Sequence, residues 1–101
     1  MAVVSMMKVS GDTDELAGNI REHLGPVGRE VAPGLGGLGT IVCKTDDGVL
    51  VINLWENEEG RHQMAADPRV QAAIGAAGFP APAFDAYEVI DMTILPAAVR
   101  G

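Results

Sequence analysis

An α+β domain with one antiparallel sheet and helices on a single face is predicted by three features of this 101-residue chain. Apolar runs of strand length recur along it, two segments carry apolar residues at helical spacing, and these alternate as strand, helix, strand, strand, helix, strand. Residues 49–77 organise the rest. There the strand Val49-Leu50-Val51-Ile52-Asn53-Leu54-Trp55 runs into the acidic turn Glu56-Asn57-Glu58-Glu59-Gly60 and on into helical sequence from His62 to Ala77.

Taken in order, Ala2 to Val9 reads as a first strand rich in Val and Met. Asp12 is placed to cap a helix, with Glu15 three residues on as in a capping box, and Leu16, Ile20 and Leu24 form one apolar stripe that Gly25-Pro26 is expected to end. Residues 27–38 then read as a long Gly/Pro connection. Gly34, Gly36 and Gly39 fit G-x-G-x-x-G formally, but that fingerprint must follow a strand and open a helix; this run does the reverse, so a turn or strand bulge is expected. Thr45-Asp46-Asp47-Gly48 is a hairpin signal, with positive φ expected at Asp-Gly, pairing residues 38–45 with 49–55. Asn57 is a cap for a short helix through Ala66, and Asp67-Pro68 restarts it until Gly78. Phe79-Pro80-Ala81-Pro82 reads as a stiff loop, Phe84 to Ile94 as a last strand, and residues 96–101 as a frayed tail after a single domain over 1–95.

This order is the split βαβ pattern of a ferredoxin-like domain with a four-stranded sheet. Along the central strand Leu50, Ile52 and Leu54 point one way, and Val49, Val51, Asn53 and Trp55 the other. Both faces are apolar while helices cover only one. A second copy of the chain is the natural cover for the other, so a homodimer is expected.

Composition narrows the function. Hydrophobic residues make up 48% of the chain but only four positions are aromatic, so the core is built mainly from aliphatic side chains. A net charge of -7 with seven scattered cations argues against nucleic acid and against an anionic membrane surface. The single Cys43 excludes an internal disulfide and suits a reducing compartment. No basic, apolar leader opens the chain and no apolar run reaches the ~18 residues of a membrane span. A soluble cytoplasmic protein is the expectation.

The Thr45-Asp46-Asp47-Gly48 hairpin, the strand ending Leu54-Trp55-Glu56-Asn57-Glu58-Glu59, the Asp67-Pro68 restart and the closing Tyr87-Glu88-Val89 together resemble the dimeric α/β-barrel superfamily, nearest its antibiotic-biosynthesis-monooxygenase and stress-responsive barrel branches. The resemblance implies two ferredoxin-like subunits joining their sheets into a barrel, each keeping a pocket for a small apolar or aromatic ligand. The haem-degrading branch uses an Asn on the first strand and a Trp and a His on the second helix; here those helix positions fall on Met64 and Ile74 and the first strand has no Asn. The cofactor-independent quinone-forming branch is more similar. It uses an Asn and a Trp on the third strand, helped by a Tyr and an Arg, and here Asn53 and Trp55 share a strand face at a shorter spacing, with the Tyr position near Arg61.

Asn53, Trp55, His62 and Tyr87 are therefore the candidate catalytic residues, with Val51, Met64 and Ile74 as candidate substrate contacts and no metal or cofactor. Each has a plainer reading beside it. A Trp ending an apolar strand is more often core. Asn53 needs partners if buried, from a turn or from a ligand. His62 is a general base at a pocket mouth or an exposed helix residue, and Tyr87 a proton donor or part of the dimer seam. Arg61 reads as solvated beside Glu56, Glu58 and Glu59. His23, His62 and Cys43 lack metal-ligand spacing, and Cys43 has no evident partner for nucleophilic work. Two functions remain: a cofactor-independent monooxygenase or cyclase acting on a polyketide-type phenol, or a non-catalytic dimeric barrel that binds a small apolar ligand.

Overall fold

Strand alternation and three side-chain caps set the elements. The computed structural model describes residues 1–79 and 84–93. It places β1 at Val3–Ser10, α1 at Thr13–Asn19, a π-helical turn at Ile20–Leu24, α2 at Gly25–Val31 and a 3-10 turn at Ala32–Leu35. Then follow β2 (Gly37–Thr45), β3 (Gly48–Trp55), α3 (Glu58–Ala66), α4 (Pro68–Ala76) and β4 (Asp85–Glu88). The sheet runs β2-β3-β1-β4 with every neighbouring pair antiparallel, the ferredoxin-like α+β arrangement expected from the element order. All three expected caps form: Asp12 accepts from the Glu15 N–H at 2.9 Å, Asn57 from Gly60 at 2.9 Å and Asp67 from Arg69 at 2.8 Å.

The β1–β3 register puts Val3, Ser5, Met7 and Val9 beside Trp55, Asn53, Val51 and Val49 on the face that the helices cover. Met7, Val9, Val49 and Val51 meet Ala77 and Phe79 in the core, with Leu16, Ile20, Leu24 and Ile74 packed against them. The core thus gathers at the Val49 end of the sheet. On the other face Val4 and Met6 lie beside Leu54 and Ile52, with Ile41 and Tyr87 exposed on the outer strands. Among the described residues no helix is long and apolar enough to cross a membrane.

Three local expectations change, while the glycine run keeps the turn and bulge expected of it. The first helix does not stop at Gly25-Pro26. The Gly25 N–H reaches back to the Ile20 carbonyl, a π-type bond, and Pro26 follows in the first turn of α2, where the widened turn accommodates it. Helical structure therefore continues to Leu35. In the hairpin, Asp46 and Asp47 form the turn, Thr45 pairs with Gly48, and none of the positive φ angles falls there. Gly48 is glycine because a Cβ would strike the Val9 carbonyl. The glycine run gives a left-handed cap at Gly36, φ 83°, and a bulge between Gly37 and Gly39 that leaves Leu38 unmatched.

Finally, β4 ends at Glu88 instead of running to Ile94. One more bond, Val89 N–H to the Ala2 carbonyl at 2.8 Å, takes it just past the start of β1. The stiff loop at 80–82, Ile94 and the tail at 96–101 lie outside the described residues.

The β3–α3 junction fixes the other end of the inner layer. Gly60, buried in the first turn of α3, sits against the Leu35 carbonyl so closely that a Cβ would collide with it, and the Trp55 ring lies alongside at 3.5 Å from that Cβ position. The Glu56 N–H bonds to the Gly36 carbonyl at 2.8 Å in the same junction. Gly60→Ala is expected to lower stability by about 1 to 3 kcal/mol through overpacking. Gly18→Ala, in α1 with open space at its Cβ position, is expected to raise it by up to ~1 kcal/mol through helix propensity. Urea midpoints of the two variants moving in the same direction would contradict this account of the junction.

Candidate functional site

Between the well-packed Val49 end and the Gly60 junction the inner face is neither filled nor uniformly apolar. One row across the sheet, perpendicular to the strands, reads Thr40, Asn53, Ser5, Ala86. Ser5 is 1% exposed, and the Thr40 hydroxyl donates to Asn53 Oδ1 at 2.8 Å, which fixes the amide plane. Among the described residues no acceptor meets Asn53 Nδ2.

Above this row lies a cavity of about 870 Å³, bounded by the sheet, the π turn, α2, α3 and α4. It exists because the helices present small residues to it. Gly28 on α2 and Gly75 on α4 both border it, and both have open space where a Cβ would stand. Most of the wall is apolar, including Met7, Val51, Met64, Ile74, Phe79 and Phe84. That mixture of an apolar wall and a few polar groups is what a small-molecule site requires.

Trp55 is 5% exposed and its Nε1 has no hydrogen-bond partner. A buried indole N–H without an acceptor is unusual and costly. Arg61 also borders the cavity. Its Nη2 donates to Glu58 Oε1 at 2.8 Å while its Nε is buried and unpartnered. The hydrogen bond from Arg61 holds the Glu58 carboxyl below the usual glutamate value, with charge attraction from Arg61 and His62 adding to it. Glu58 therefore stays ionised and keeps one end of the guanidinium turned to solvent.

Of the residues singled out from sequence, Asn53, Trp55, Val51, Met64 and Ile74 all border this cavity. His62 does not: its side chain is exposed on α3, with Nε2 3.5 Å from Glu58 Oε1 and 3.4 Å from Arg61 Nη2. The structure thus brings His62 to Glu58 and Arg61 rather than into a cavity with Asn53. Tyr87 pairs with Val4 on the opposite face of the sheet and is exposed there, away from the cavity. Among the described residues no three of His, Cys, Asp and Glu gather in a metal-binding group.

Sequence reasoning passed over Ser5, Thr40 and the inward side of Arg61. Ser5 had a signal: it shares alternation parity with Val3, Met7 and Val9, so it is the one polar residue on the buried side of β1. Thr40 is found only from the β2–β3 register, which the bulge at Gly37 and Gly39 shifts. Arg61 depends on the rotation of α3 about its axis, which its charge-rich sequence does not specify.

No protein-family model matches the sequence, and no curated protein does. Solved structures do match along nearly the whole length. A Deinococcus radiodurans protein provisionally designated an antibiotic biosynthesis monooxygenase is 22% identical, with 94% of this chain and 98% of that one covered at a TM-score of 0.65. SnoaB, a cofactor-independent oxygenase from Streptomyces nogalater, is 15% identical over 94% of this chain and 95% of its own, TM-score 0.64. A dimeric ferredoxin-like protein of unknown function from Jannaschia sp. CCS1 is 14% identical over 88% and 100%, TM-score 0.66. What these likenesses establish is the architecture: the chain has the ferredoxin-like α+β fold that antibiotic biosynthesis monooxygenase-like structures share.

Proposed function

We propose that the chain is a small cofactor-independent oxygenase acting on an electron-rich, polyketide-type phenol held between the sheet and the helices. The observation that carries this reading is the polar row bordering an apolar cavity, with the Asn53 amide oriented by Thr40 and the Trp55 ring in the same wall. The occurrence of a cofactor-independent oxygenase among proteins of the same fold supports it.

The chemistry asks little of the protein beyond stabilising an anion. An anthrone-type substrate loses a proton to give an electron-rich phenolate, which reduces O2. The methylene carbon then takes one oxygen atom as a carbonyl, and the second oxygen leaves as water with the two hydrogens. Substrate and O2 thus give quinone and water, with no outside reductant. Asn53 Nδ2 donates to the substrate oxygen where charge develops, and the Arg61 guanidinium lowers the potential of the pocket for that anion. The apolar wall gives the substrate rings a surface to pack against. His62 and Tyr87 have no part in this scheme, because neither borders the cavity. The proton leaves to solvent, its departure favoured by the donors that hold the anion.

A second reading is specifically favoured by the make-up of that wall. Among the described residues it contains no imidazole and no carboxylate to act as base. A barrel that binds the same class of ligand without turning it over fits this equally.

Aerobic incubation with anthrone- and hydroquinone-type phenols, following quinone absorbance and O2 uptake, separates the two. Oxidation above the buffer rate is expected for the wild type, with a loss of about 10²-fold in Asn53→Ala, the scale of removing one oxyanion donor. Binding without turnover would leave the ligand-binding reading alone.

The homodimer belongs to the same proposal. The uncovered face carries Val4, Met6, Ile41, Ile52 and Leu54, and a neighbour of the same fold is dimeric. Ile52→Asp places a charge in the middle of that face, opposite Met6 and Ile41, and is expected to convert a dimer into a monomer in light scattering behind size exclusion. A wild-type chain that runs as a monomer at all concentrations would contradict it.

A further inference from the structure

The cavity wall differs in charge from the rest of the molecule. The chain holds fourteen Asp and Glu against seven Lys and Arg, yet among the described residues the wall includes Arg21, Arg29 and Arg61 and no acidic residue. Arg61 already has Glu58 as a partner. Arg21 and Arg29 have no ion-pair partner among the described residues, in a protein with acids to spare. Arg69, outside the cavity, shows the contrast: it is paired with both Asp67 and Glu30.

The backbone also makes room for one of these cations. Gly25 lies between them in sequence, and a Cβ there would come within 3.2 Å of Arg29 Nη1 and 3.4 Å of the Ile20 carbonyl. The Arg29 guanidinium is thus laid back over the π turn that carries Arg21, along the mouth of the cavity. Two cations bordering one mouth without a counter-charge raise the local positive potential. Planar guanidinium groups in that position match a carboxylate, which accepts two parallel N–H donors.

We infer that the ligand is an aromatic acid: a fused-ring phenol whose apolar body fills the cavity and whose carboxylate is held at the mouth by Arg21 and Arg29. The inference rests on the cavity being the ligand site proposed above, and it adds the part of the ligand that sets specificity. Arg21 and Arg29 are binding residues in this scheme, with Asn53 left to meet the ring oxygen. An acidic protein that draws an anion to this one mouth also turns anions away elsewhere on its surface.

The test is calorimetric titration of the full chain with 1-hydroxy-2-naphthoate and with its neutral amide, which has nearly the same shape. At an ionic strength of about 20 mM the acid is expected to bind about tenfold more tightly, and the preference to shrink towards unity at about 300 mM as screening shortens the reach of the charges. In Arg21→Gln/Arg29→Gln the preference is expected to vanish while the amide binds as before. Arg69→Gln is expected to keep it.

Equal affinity for acid and amide in the wild type overturns the inference, and so does a preference that salt does not weaken or that survives in the double variant. Absence of binding by either compound overturns it too. The salt series needs only the wild type, so it decides the matter even where a variant misfolds. Preference for the acid with no O2 uptake would leave this inference standing and remove the oxygenase. Quinone formation from neutral anthrones with no preference for acids would do the reverse.

Discussion

The close approach of Gly60 to the Leu35 carbonyl decides the shape of the inner layer. Helix α3 can begin where it does only because its first turn carries no side chain at that point, so the end of the long helical segment and the start of α3 share one contact beneath Trp55. The opposite end is closed by ordinary packing of Val9, Val49, Met7 and Val51 under Ala77 and Phe79. With both ends of the layer pinned, the helices bridge the middle instead of settling onto it. Small residues at Gly28 and Gly75 keep that middle open.

An open interior is a net cost for a domain of this size, because lost contacts in a void are not recovered elsewhere. Ser5 and Asn53 add to it, since each places hydrogen-bonding groups on the helix-covered face where an aliphatic side chain would pack. A chain selected for stability alone would carry Leu or Val at such positions. Their presence together, at the level of the cavity, is what the proposed ligand site accounts for and a plain core does not. Trp55 and Arg61, which border the same cavity, each keep a buried N–H without a partner.

Much of the fold was legible because its signals are local. Asp12, Asn57 and Asp67 each cap a helix through a bond to a residue two or three positions on, and strand parity alone assigned Asn53 and Trp55 to one face. The misread places depend on contacts between distant segments. Gly25-Pro26 reads as a stop, yet a π-type bond carries the helix through it. Gly48 reads as a turn residue, although its reason is the Val9 carbonyl, far away in sequence. Within the site the same division holds: Asn53 announced itself as an amide among aliphatics, whereas His62 and Arg61 are adjacent in sequence and only the rotation of α3 puts one in solvent and the other against the cavity.

The alternation along β3 also separates two kinds of inheritance on a single strand. Val51, Asn53 and Trp55 answer to whatever occupies the interior, while Leu50 and Ile52 answer to whatever covers the outside. A substitution at Val51, Asn53 or Trp55 therefore reshapes the interior and leaves the outer surface as it was, and one at Leu50 or Ile52 does the reverse, so the two faces of one strand can be altered independently.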